Sequence, residues 1–404
     1  MISIGLIREE KIPPDNRVAL TPSQCKWLQE NRGINIIVQA SAIRCFTDAE
    51  YAQAGITVSR EVHDCDILLG IKEIPVASIL PGKTYLFFSH TKKQQPHNRD
   101  LFRAMLQKRV TLIDYECLEH EDGQRILGFG FFAGVVGAHN GIMAYGKRTG
   151  LFDLGRVYRQ RDLRALIHTY FGLKLPPIKV AVTGSGRVAH GILEVMNLMG
   201  IIEVDPDEYI SREFTYPVFT QLKGRDLYAR KDGSPYNREH FHDSPEDYQC
   251  LFPPYTQVTD ILMNGIYWDV QVPRLFEWEH FDDPGFRIQT IADITDDTNG
   301  SVPCNLGDTT IEDPVYGVHK KTHKRTAPFV GTSVDVMAVG NLPNELPRDA
   351  SRYFGEQLIN HVLDDLISNG SETIERAMMI REGRLMERYA YLRTYGSEDG
   401  RSPA

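Results

Sequence analysis

A short glycine-rich segment constrains this chain more than any other feature. The stretch Gly184-Ser-Gly-Arg-Val-Ala-His-Gly191 directly follows the apolar run 178–183 and begins a pattern of helical spacing that ends near residue 200. A turn without side chains lets backbone N–H groups approach a phosphate, and the N-terminus of the following helix favours an anion. The order strand, turn, helix therefore predicts a dinucleotide site, and a glycine-rich turn in some other α/β domain is the plainer interpretation.

Individual positions in and after this segment carry expected roles. Gly184 and Gly186 form the turn, and Ala189 takes the third small position of the G-x-G-x-x-G/A pattern, where the helix lies close to the sheet. Asp205 follows the first glycine by about twenty residues, where a carboxylate can accept a hydrogen bond from a ribose hydroxyl. These positions strengthen the prediction of a dinucleotide site.

Length and charge restrict the class of protein. The chain has 404 residues, which is more than one hydrophobic core usually organises, so two domains are expected. Its net charge of -9 disfavours nucleic acid and anionic membranes as partners and leaves small molecules. No membrane-length apolar run or secretion signal is visible, so a cytoplasmic protein is expected. The six cysteines are widely spaced, which predicts neither a disulfide framework nor a zinc site.

Strand-like and helix-like segments alternate along the chain, which predicts a largely parallel sheet covered on both faces. A helix is expected after Thr21-Pro22, and a short helix is expected to be capped by Asp48. The predicted strands are 2–7, 34–38, 66–71, 84–89 and 110–113, followed by strands near Val180, Ile201, Ile261 and Ile288. No strand is expected after residue 340.

The same alternation gives a domain organisation. We place the first domain at 1–135 plus about 335–404 and the dinucleotide-binding domain at 136–334. Residues from about 206 to 255 are polar and aromatic without a regular period, and we interpret them as an insertion that covers the substrate cleft. A disordered segment is the alternative, which the many aromatic residues disfavour.

Two predicted strands end in titratable side chains. Lys72 and Glu73 follow the apolar run 67–71, and His90 follows the run 85–89. Functional residues of open α/β sheets lie at such carboxyl ends. A lysine among apolar neighbours is partly desolvated, which makes it a better base, and a histidine can exchange protons near neutral pH. The plainer interpretation is that Lys72 extends into water and His90 caps a carbonyl group.

Two further groups of residues invite a functional interpretation. Arg17 lies in a proline-stiffened loop after the first strand, where it could hold a substrate carboxylate, and a salt bridge to Asp15 or Glu9 is the alternative. The segment 293–301 offers three carboxylates after a predicted strand, but it lacks the oxygen spacing and distal glutamate of a calcium loop. No metal is therefore predicted.

Several motifs together resemble one enzyme family. These are R-V-A-L-T-P at 17–22, G-I-K-E-I-P at 70–75, F-F-S-H-T-K-K at 87–93, L-I-D-Y-E at 112–116 and F-G-F-F-A-G at 129–134. They resemble lysine-forming saccharopine dehydrogenase, a relative of alanine dehydrogenase and of the transhydrogenase α subunit. The motifs N-G-I-Y-W at 264–268 and D-I-T-D-D at 293–297 look more like the lysine-ketoglutarate reductase half of the bifunctional animal and plant enzyme. The resemblance extends from residue 2 to about 360.

The resemblance implies a fold and a site. The fold is of the α/β class, with two Rossmann-like doubly wound domains, an active site in the interdomain cleft and a first domain completed by C-terminal residues. Proton transfer is assigned to Lys72 and His90. Residues that tune this pair or bind substrate are Arg17, Glu73, Lys93, Glu116 and Arg125. Coenzyme contacts are expected at Gly184, Gly186, Arg187, Val188, Ala189, Asp205, Asn264, Gly265, Ile266 and Asp293.

The expected coenzyme is NAD, with NADP possible. A carboxylate at Asp205 would repel a 2'-phosphate, whereas Arg187 and Arg212 lie near enough in sequence to offer one a counter-charge. Only one set of relatives uses NAD, so the resemblance leaves the choice open.

The expected reaction is the cleavage of saccharopine to L-lysine and 2-oxoglutarate, or its reverse. The semialdehyde-forming half of the bifunctional enzyme has no counterpart here, so only the lysine step is expected. The alternative is an alanine dehydrogenase or another opine-type amino-acid oxidoreductase. A non-catalytic nucleotide-sensing protein is a second alternative, which the presence of both Lys72 and His90 disfavours. The oligomeric state stays open.

Overall fold

A computed structural model describes residues 2–368 and 371–397 of the chain. It divides into a first unit, Met1–Phe129 with Pro347–Ala404, and a second unit, Gly130–Leu346. The boundaries thus differ from the expected positions 135 and 335. Residues 369–370 and 398–404, which the prediction included in the first domain, lie outside the described residues.

The elements alternate between strands and helices. The strands are β1 (Ser3–Leu6), β2 (Asn35–Gln39), β3 (Thr57–Ser59), β4 (Ile67–Leu69), β5 (Thr84–Phe87), β6 (Thr111–Asp114), β7 (Lys179–Thr183), β8 (Ile202–Glu203), β9 (Val218–Leu222), β10 (Tyr228–Arg230), β11 (Tyr248–Cys250), β12 (Ile261–Asn264), β13 (Thr290–Asp293), β14 (Val315–His319), β15 (Arg325–Thr326), β16 (Ser333–Met337), β17 (Met378–Arg381) and β18 (Arg384–Leu385). The α-helices are α1 (Pro22–Arg32), α2 (Asp48–Gln53), α3 (Arg99–Gln107), α4 (Gly130–Thr149), α5 (Leu163–His168), α6 (Arg187–Leu198), α7 (Pro206–Ser211), α8 (Gly224–Leu227), α9 (Arg238–Asp243), α10 (Trp278–Phe281), α11 (Pro347–His361), α12 (Leu363–Ile367), α13 (Glu372–Ala377) and α14 (Arg393–Gly396).

The first unit is built on an eight-stranded sheet in the order β18-β17-β6-β5-β4-β1-β2-β3. Strands β1 to β6 are parallel, and β17 pairs with β6 in the antiparallel direction. The expectation of no strand after residue 340 is therefore wrong: Ile380 pairs with Leu112, and its buried side chain belongs to the core of this unit. The first five predicted strands are confirmed: β1, β4 and β5 are shorter than predicted, and β2 and β6 begin and end one residue later.

Local sequence explains how the helices of this unit begin. Thr21 caps α1 through a capping box with Gln24, with Pro22 at the first helical position, as predicted. The cap of α2 was predicted one residue too late. Thr47 accepts from the backbone N–H of Glu50 and is the cap, and Asp48 is the first helical residue.

The second unit is built on another eight-stranded sheet, in the order β15-β14-β16-β13-β12-β7-β9-β8. Strands β16, β13, β12, β7, β9 and β8 are parallel, and β14 is antiparallel to β16. The α/β prediction is confirmed. Residues 206–255 are not a simple insertion, because β9 lies within them and pairs with β7.

Helices α4 and α6 pack through glycine. A methyl group at Gly134 would lie 2.0 Å from the carbonyl oxygen of Val188, and one at Gly191 would lie 1.9 Å from that of Phe131. The two backbones can approach this closely only because neither position carries a side chain. This contact fixes α6, the helix that follows the glycine turn.

Candidate functional site

The sheet of the first unit brings the predicted titratable residues to one edge. Strands β6, β5, β4 and β1 are neighbours and parallel, so their carboxyl ends lie side by side. Glu116, His90 and Lys72 follow β6, β5 and β4 respectively, and Glu9 follows β1. Candidate acid-base residues from four separate chain segments thus share one edge of the sheet.

Lys72 is the candidate base of this edge. Burial and, after it, the positive charge of Arg17 lower the pKa of its ammonium group to about 8, against the opposing effect of Asp15. At this pKa a substantial fraction of the side chain is neutral near physiological pH. A neutral amine in a site of this kind can accept a proton from a substrate.

Glu73 orients His90. Its Oε1 lies 2.5 Å from His90 Nδ1, and its Oε2 accepts from Lys11 Nζ at 2.7 Å. Burial alone would raise the pKa of Glu73, but the hydrogen bonds to His90 and Lys11 outweigh burial and hold the pKa below its ordinary value. An ionised carboxylate can only accept, so His90 donates from Nδ1 and keeps the lone pair on Nε2. The available nitrogen of His90 is therefore Nε2.

Arg17 makes the salt bridge that was left open as an alternative. Its Nε donates to Asp15 Oδ1 at 3.0 Å, its Nη2 lies 2.5 Å from Asp15 Oδ2, and its guanidinium stacks over Phe129 at 4.2 Å. The Arg17 side chain is only 3% exposed. The guanidinium fork therefore faces Asp15, and the positive charge of Arg17 still acts on Lys72.

Glu116, Arg125 and Lys93 are the remaining residues predicted for the candidate site of this unit. Glu116 Oε1 lies 3.5 Å from Arg125 Nη2, and the Arg125 side chain is 44% exposed. Lys93 is exposed in the turn that follows His90. Arg125 and Lys93 are the two predicted substrate-binding cations that solvent reaches readily.

The sequence interpretation missed two buried acids at this edge. Glu9 was considered only as a partner for Arg17, but its carboxylate accepts from the backbone N–H groups of Ile71 and Lys72 at 2.7 and 2.9 Å. Burial and the negative charge of Asp15 raise the pKa of Glu9 to about 8. Asp114, the last residue of β6, accepts from Ser89, and burial together with the charge of Glu116 raises its pKa to about 6. Each acid follows or ends a predicted strand, which was the available signal.

The glycine turn of the second unit has the geometry that a dinucleotide needs. Gly184 has a φ of 103°, and a methyl group there would lie 2.7 Å from the carbonyl oxygen of Gly265. Gly186 is the N-cap of α6 and makes no side-chain capping bond, and Ala189 is fully buried, as predicted. Backbone N–H groups at the start of a twelve-residue helix thus follow a turn that is exposed at Ser185 and Gly186. Arg187 and Val188 are the first two residues of this helix.

Asn264 and Asp293, for which coenzyme contacts were expected, belong to a buried hydrogen-bond network at the strand ends. Both side chains are fully buried. Asn264 Nδ2 donates to Asp293 Oδ1 at 2.8 Å, and Thr183 Oγ1 donates to Asn264 Oδ1 at 2.9 Å. These bonds join the ends of β7, β12 and β13 beneath the turn. Gly265 and Ile266 come directly after Asn264 in the chain. The network therefore positions their backbone.

Asp205 does not lie where the spacing rule placed it. It follows β8, the edge strand, and β9 separates β8 from β7. Its side chain is exposed and makes no capping bond to α7. The strand beside β7 is β9, and Gln221 in β9 donates to the carbonyl oxygen of Gly184 at 2.9 Å.

Neither a metal cluster nor a membrane-spanning helix is found in the part of the chain that the structure describes. Among residues 2–368 and 371–397, no cluster of three or more histidine, cysteine or acidic side chains is arranged to hold a metal ion. None of the helices in that part of the chain is both long and apolar enough to cross a membrane.

Known proteins resemble this chain in sequence and in fold. The family described as alanine dehydrogenase/PNT, N-terminal domain, matches residues 5–136. The alpha-aminoadipic semialdehyde synthase of Arabidopsis thaliana is 30% identical, over 96% of this chain and 41% of its own length. The saccharopine dehydrogenase (NAD(+), L-lysine-forming) of Yarrowia lipolytica is 27% identical, over 88% of this chain and 90% of its own length.

Among solved structures, an L-alanine dehydrogenase superposes with a TM-score of 0.62 at 18% identity, over 95% of this chain and 97% of its own. That similarity supports the two-domain Rossmann-like fold. The chain spans less than half the length of the semialdehyde synthases that it matches. The chain is thus similar in sequence to the lysine-forming saccharopine dehydrogenases, and its residues 5–136 match the alanine dehydrogenase/PNT N-terminal domain, as its motifs predicted.

Proposed function

We propose that this chain is an NAD(P)-dependent oxidoreductase that cleaves saccharopine to L-lysine and 2-oxoglutarate, or forms saccharopine in the reverse direction. The observation that carries the proposal is the placement of Lys72 and His90 at the ends of neighbouring strands, with Glu73 bonded to His90. A base and an oriented imidazole are the two proton carriers that oxidation of a secondary amine followed by imine hydrolysis needs. The similarity to the lysine-forming saccharopine dehydrogenase of Yarrowia lipolytica supports this reaction.

Lys72 takes the proton of the substrate amine. When bound, the nicotinamide coenzyme supplies the group that accepts a hydride from the glutaryl α-carbon. Removing the amine proton frees the nitrogen lone pair, so the C=N bond of the substrate imine can form as the hydride leaves. Burial and the charge of Arg17, which lower the pKa of Lys72, keep enough of this lysine neutral for the step.

His90 serves the hydrolytic half of the reaction. With Nδ1 bonded to Glu73, Nε2 can take a proton from water as the oxygen adds to the imine carbon. The same nitrogen returns a proton to the lysine nitrogen as the carbinolamine collapses to the two products. Glu73 holds the ring in one orientation through its bond to Nδ1.

The charged ends of the substrate need cations. Lys93 and Arg125 are the accessible predicted ones, and we assign them to substrate carboxylates. Arg17 is engaged by Asp15, so we assign it mainly the electrostatic role on Lys72. The glycine turn before α6 and the backbone of Gly265 and Ile266 are assigned to the coenzyme.

A coenzyme-consumption assay tests the proposal. The absorbance of NADH or NADPH is followed with 2-oxoglutarate or pyruvate as keto acid and with lysine or ammonia as amine. Consumption is expected only when 2-oxoglutarate and lysine are both present. Equal turnover with pyruvate and ammonia would make alanine dehydrogenase the correct assignment, and coenzyme binding without turnover of any pair would favour a nucleotide-sensing role.

A further inference from the structure

The strand order of the second unit identifies where an adenosine ribose would lie. In a dinucleotide-binding fold the ribose is recognised at the carboxyl end of the strand beside the one that leads into the glycine turn. That neighbour is β9, which pairs with β7 along its whole length, whereas β8 lies beyond it at the edge. The segment after β9, beginning at Lys223, therefore takes the position that the spacing rule assigned to Asp205.

Contacts place the end of β9 against the turn. Gln221 Nε2 donates to the carbonyl oxygen of Gly184 at 2.9 Å. Two residues further along, Lys223 is exposed, and the side chain of Arg225 is 84% exposed. The two cations thus follow a strand end that is bonded directly to the turn.

The nearby acid is already engaged. Asp226 Oδ2 accepts from the backbone N–H of Lys223 at 3.0 Å, and its Oδ1 lies 3.9 Å from Arg225 Nε. This carboxylate caps the short helix α8 and is beyond hydrogen-bond distance from Arg225 Nε. The end of β9 thus carries two cations, Lys223 and Arg225, and one carboxylate, Asp226. The net charge of these three side chains is positive.

We propose that Lys223 and Arg225 form a subsite for the 2'-phosphate of the coenzyme, so that the chain prefers NADP(H) to NAD(H). The inference rests on the proposed dinucleotide site at the turn before α6. A phosphate ester carries the charge and the acceptor oxygens that a lysine and an arginine together recognise. The free ribose hydroxyls of NAD would offer these two cations no such partner.

Arg212, which together with Arg187 was considered for this role, lies at the wrong end of the sheet. Its carbonyl oxygen accepts from Lys179 Nζ at 2.9 Å, and Lys179 begins β7, whereas Gly184 follows its end. The guanidinium of Arg212 also pairs with Glu208. Arg212 is therefore a control, because its removal takes one positive charge from the same unit without touching the proposed subsite.

Binding measurements on the whole chain test the subsite. NADPH and NADH affinities are measured by fluorescence titration, and those of 2',5'-ADP and 5'-AMP by calorimetry. The variants are the double substitution Lys223→Ala with Arg225→Ala, Arg212→Ala, and Asp205→Ala. The double variant is expected to lose about 10- to 100-fold in affinity for NADPH and for 2',5'-ADP, as for removal of charged hydrogen bonds. Its NADH affinity should change less than about twofold, and the two single variants should keep the wild-type preference for NADPH.

The outcomes separate this inference from the proposed function. The subsite is refuted if the wild-type chain binds NADH as tightly as NADPH, or if the double variant loses affinity for both coenzymes equally. In either case the dinucleotide site stands. If Asp205→Ala alone shifts the preference toward NADPH, Asp205 is the ribose contact and the inference is wrong. If neither coenzyme binds the wild-type chain, the dinucleotide site itself is refuted.

Discussion

Replacing Gly186 with alanine should separate coenzyme binding from folding. Gly186 has φ -88° and ψ -168°, an extended conformation that alanine also adopts, and a methyl group there would meet nothing within 4 Å. No strain and no clash are therefore introduced in the ligand-free protein. The free energy of unfolding should change by less than about 0.5 kcal/mol, as for a surface substitution.

The same methyl group should impair coenzyme binding, because it occupies the space through which the coenzyme diphosphate approaches the backbone N–H groups. A hydrogen bond to a charged group contributes about 1.5–3 kcal/mol. Since about 1.4 kcal/mol corresponds to a tenfold change in affinity, loss of one such bond should weaken coenzyme binding about 10- to 100-fold.

The measurement pairs thermal melting with titration of NADH and NADPH fluorescence. Gly331→Ala is the matched control, since Gly331 is exposed, has open space for a methyl group and lies in the same unit. Gly184→Ala is the contrasting variant. With a φ of 103° and the carbonyl oxygen of Gly265 only 2.7 Å away, it should lose stability as well as binding.

Two results would refute this reasoning. A folded Gly186→Ala protein that binds both coenzymes like the wild type would show that the turn does not hold their phosphates. A loss of stability as large as that of Gly184→Ala would show that position 186 is not sterically open.

Three further predictions concern the first unit. The substitutions Lys72→Met and His90→Gln should each lower kcat by about 10²- to 10⁴-fold and leave coenzyme affinity unchanged. A rise in KM at near-normal kcat would instead show that Lys72 and His90 bind substrate without transferring protons. The rate of saccharopine oxidation should rise with pH and level off above about pH 8, because the neutral fraction of Lys72 grows as pH passes its pKa. The Arg17→Gln substitution should move the rising part of this pH profile to higher pH, because it removes a charge that lowers the pKa of Lys72. An unmoved profile would contradict the electrostatic role of Arg17. Glu9→Ala should lower the free energy of unfolding by about 1–3 kcal/mol by leaving two backbone N–H groups without their acceptor. Calorimetric melting checks this, and Glu9→Gln, which retains one acceptor oxygen, should lose less.

The candidate site of the first unit could be predicted where a local pattern carried the information. An apolar run followed by a titratable residue marks the carboxyl end of a buried strand, and this pattern found Lys72 and His90. Because β4 and β5 are parallel neighbours, two residues found separately share one edge of the sheet. The tuning role of Glu73 came from the family resemblance, and its bond to His90 is visible only in the structure.

Contacts between distant segments could not be predicted in the same way. Glu9 bonds the backbone of Ile71 and Lys72, more than sixty positions away in sequence. Every residue except proline has a backbone N–H group that can donate. The residue types at the donor positions therefore do not reveal that a distant carboxylate accepts from them. The orientation of Arg17 toward Asp15 was likewise only one of two alternatives, and burial of the pair decided between them.

The position of Asp205 shows why residue spacing fails as a guide to strand neighbours. The spacing rule assumes that the strand after α6 pairs directly with the strand before the glycine turn. Here that strand is β8, of two residues, and the chain continues through α7 to β9, which pairs with all five residues of β7. Strand β9 pairs with β7 at five positions and buries Val218 and Leu222. Strand β8 offers only Ile202 and Glu203, whose side chains are both exposed, so it buries less apolar surface than β9 does. The inner place beside β7 therefore goes to the longer, more apolar strand, and this is why we propose that the residues after β9, rather than Asp205, distinguish the two coenzymes.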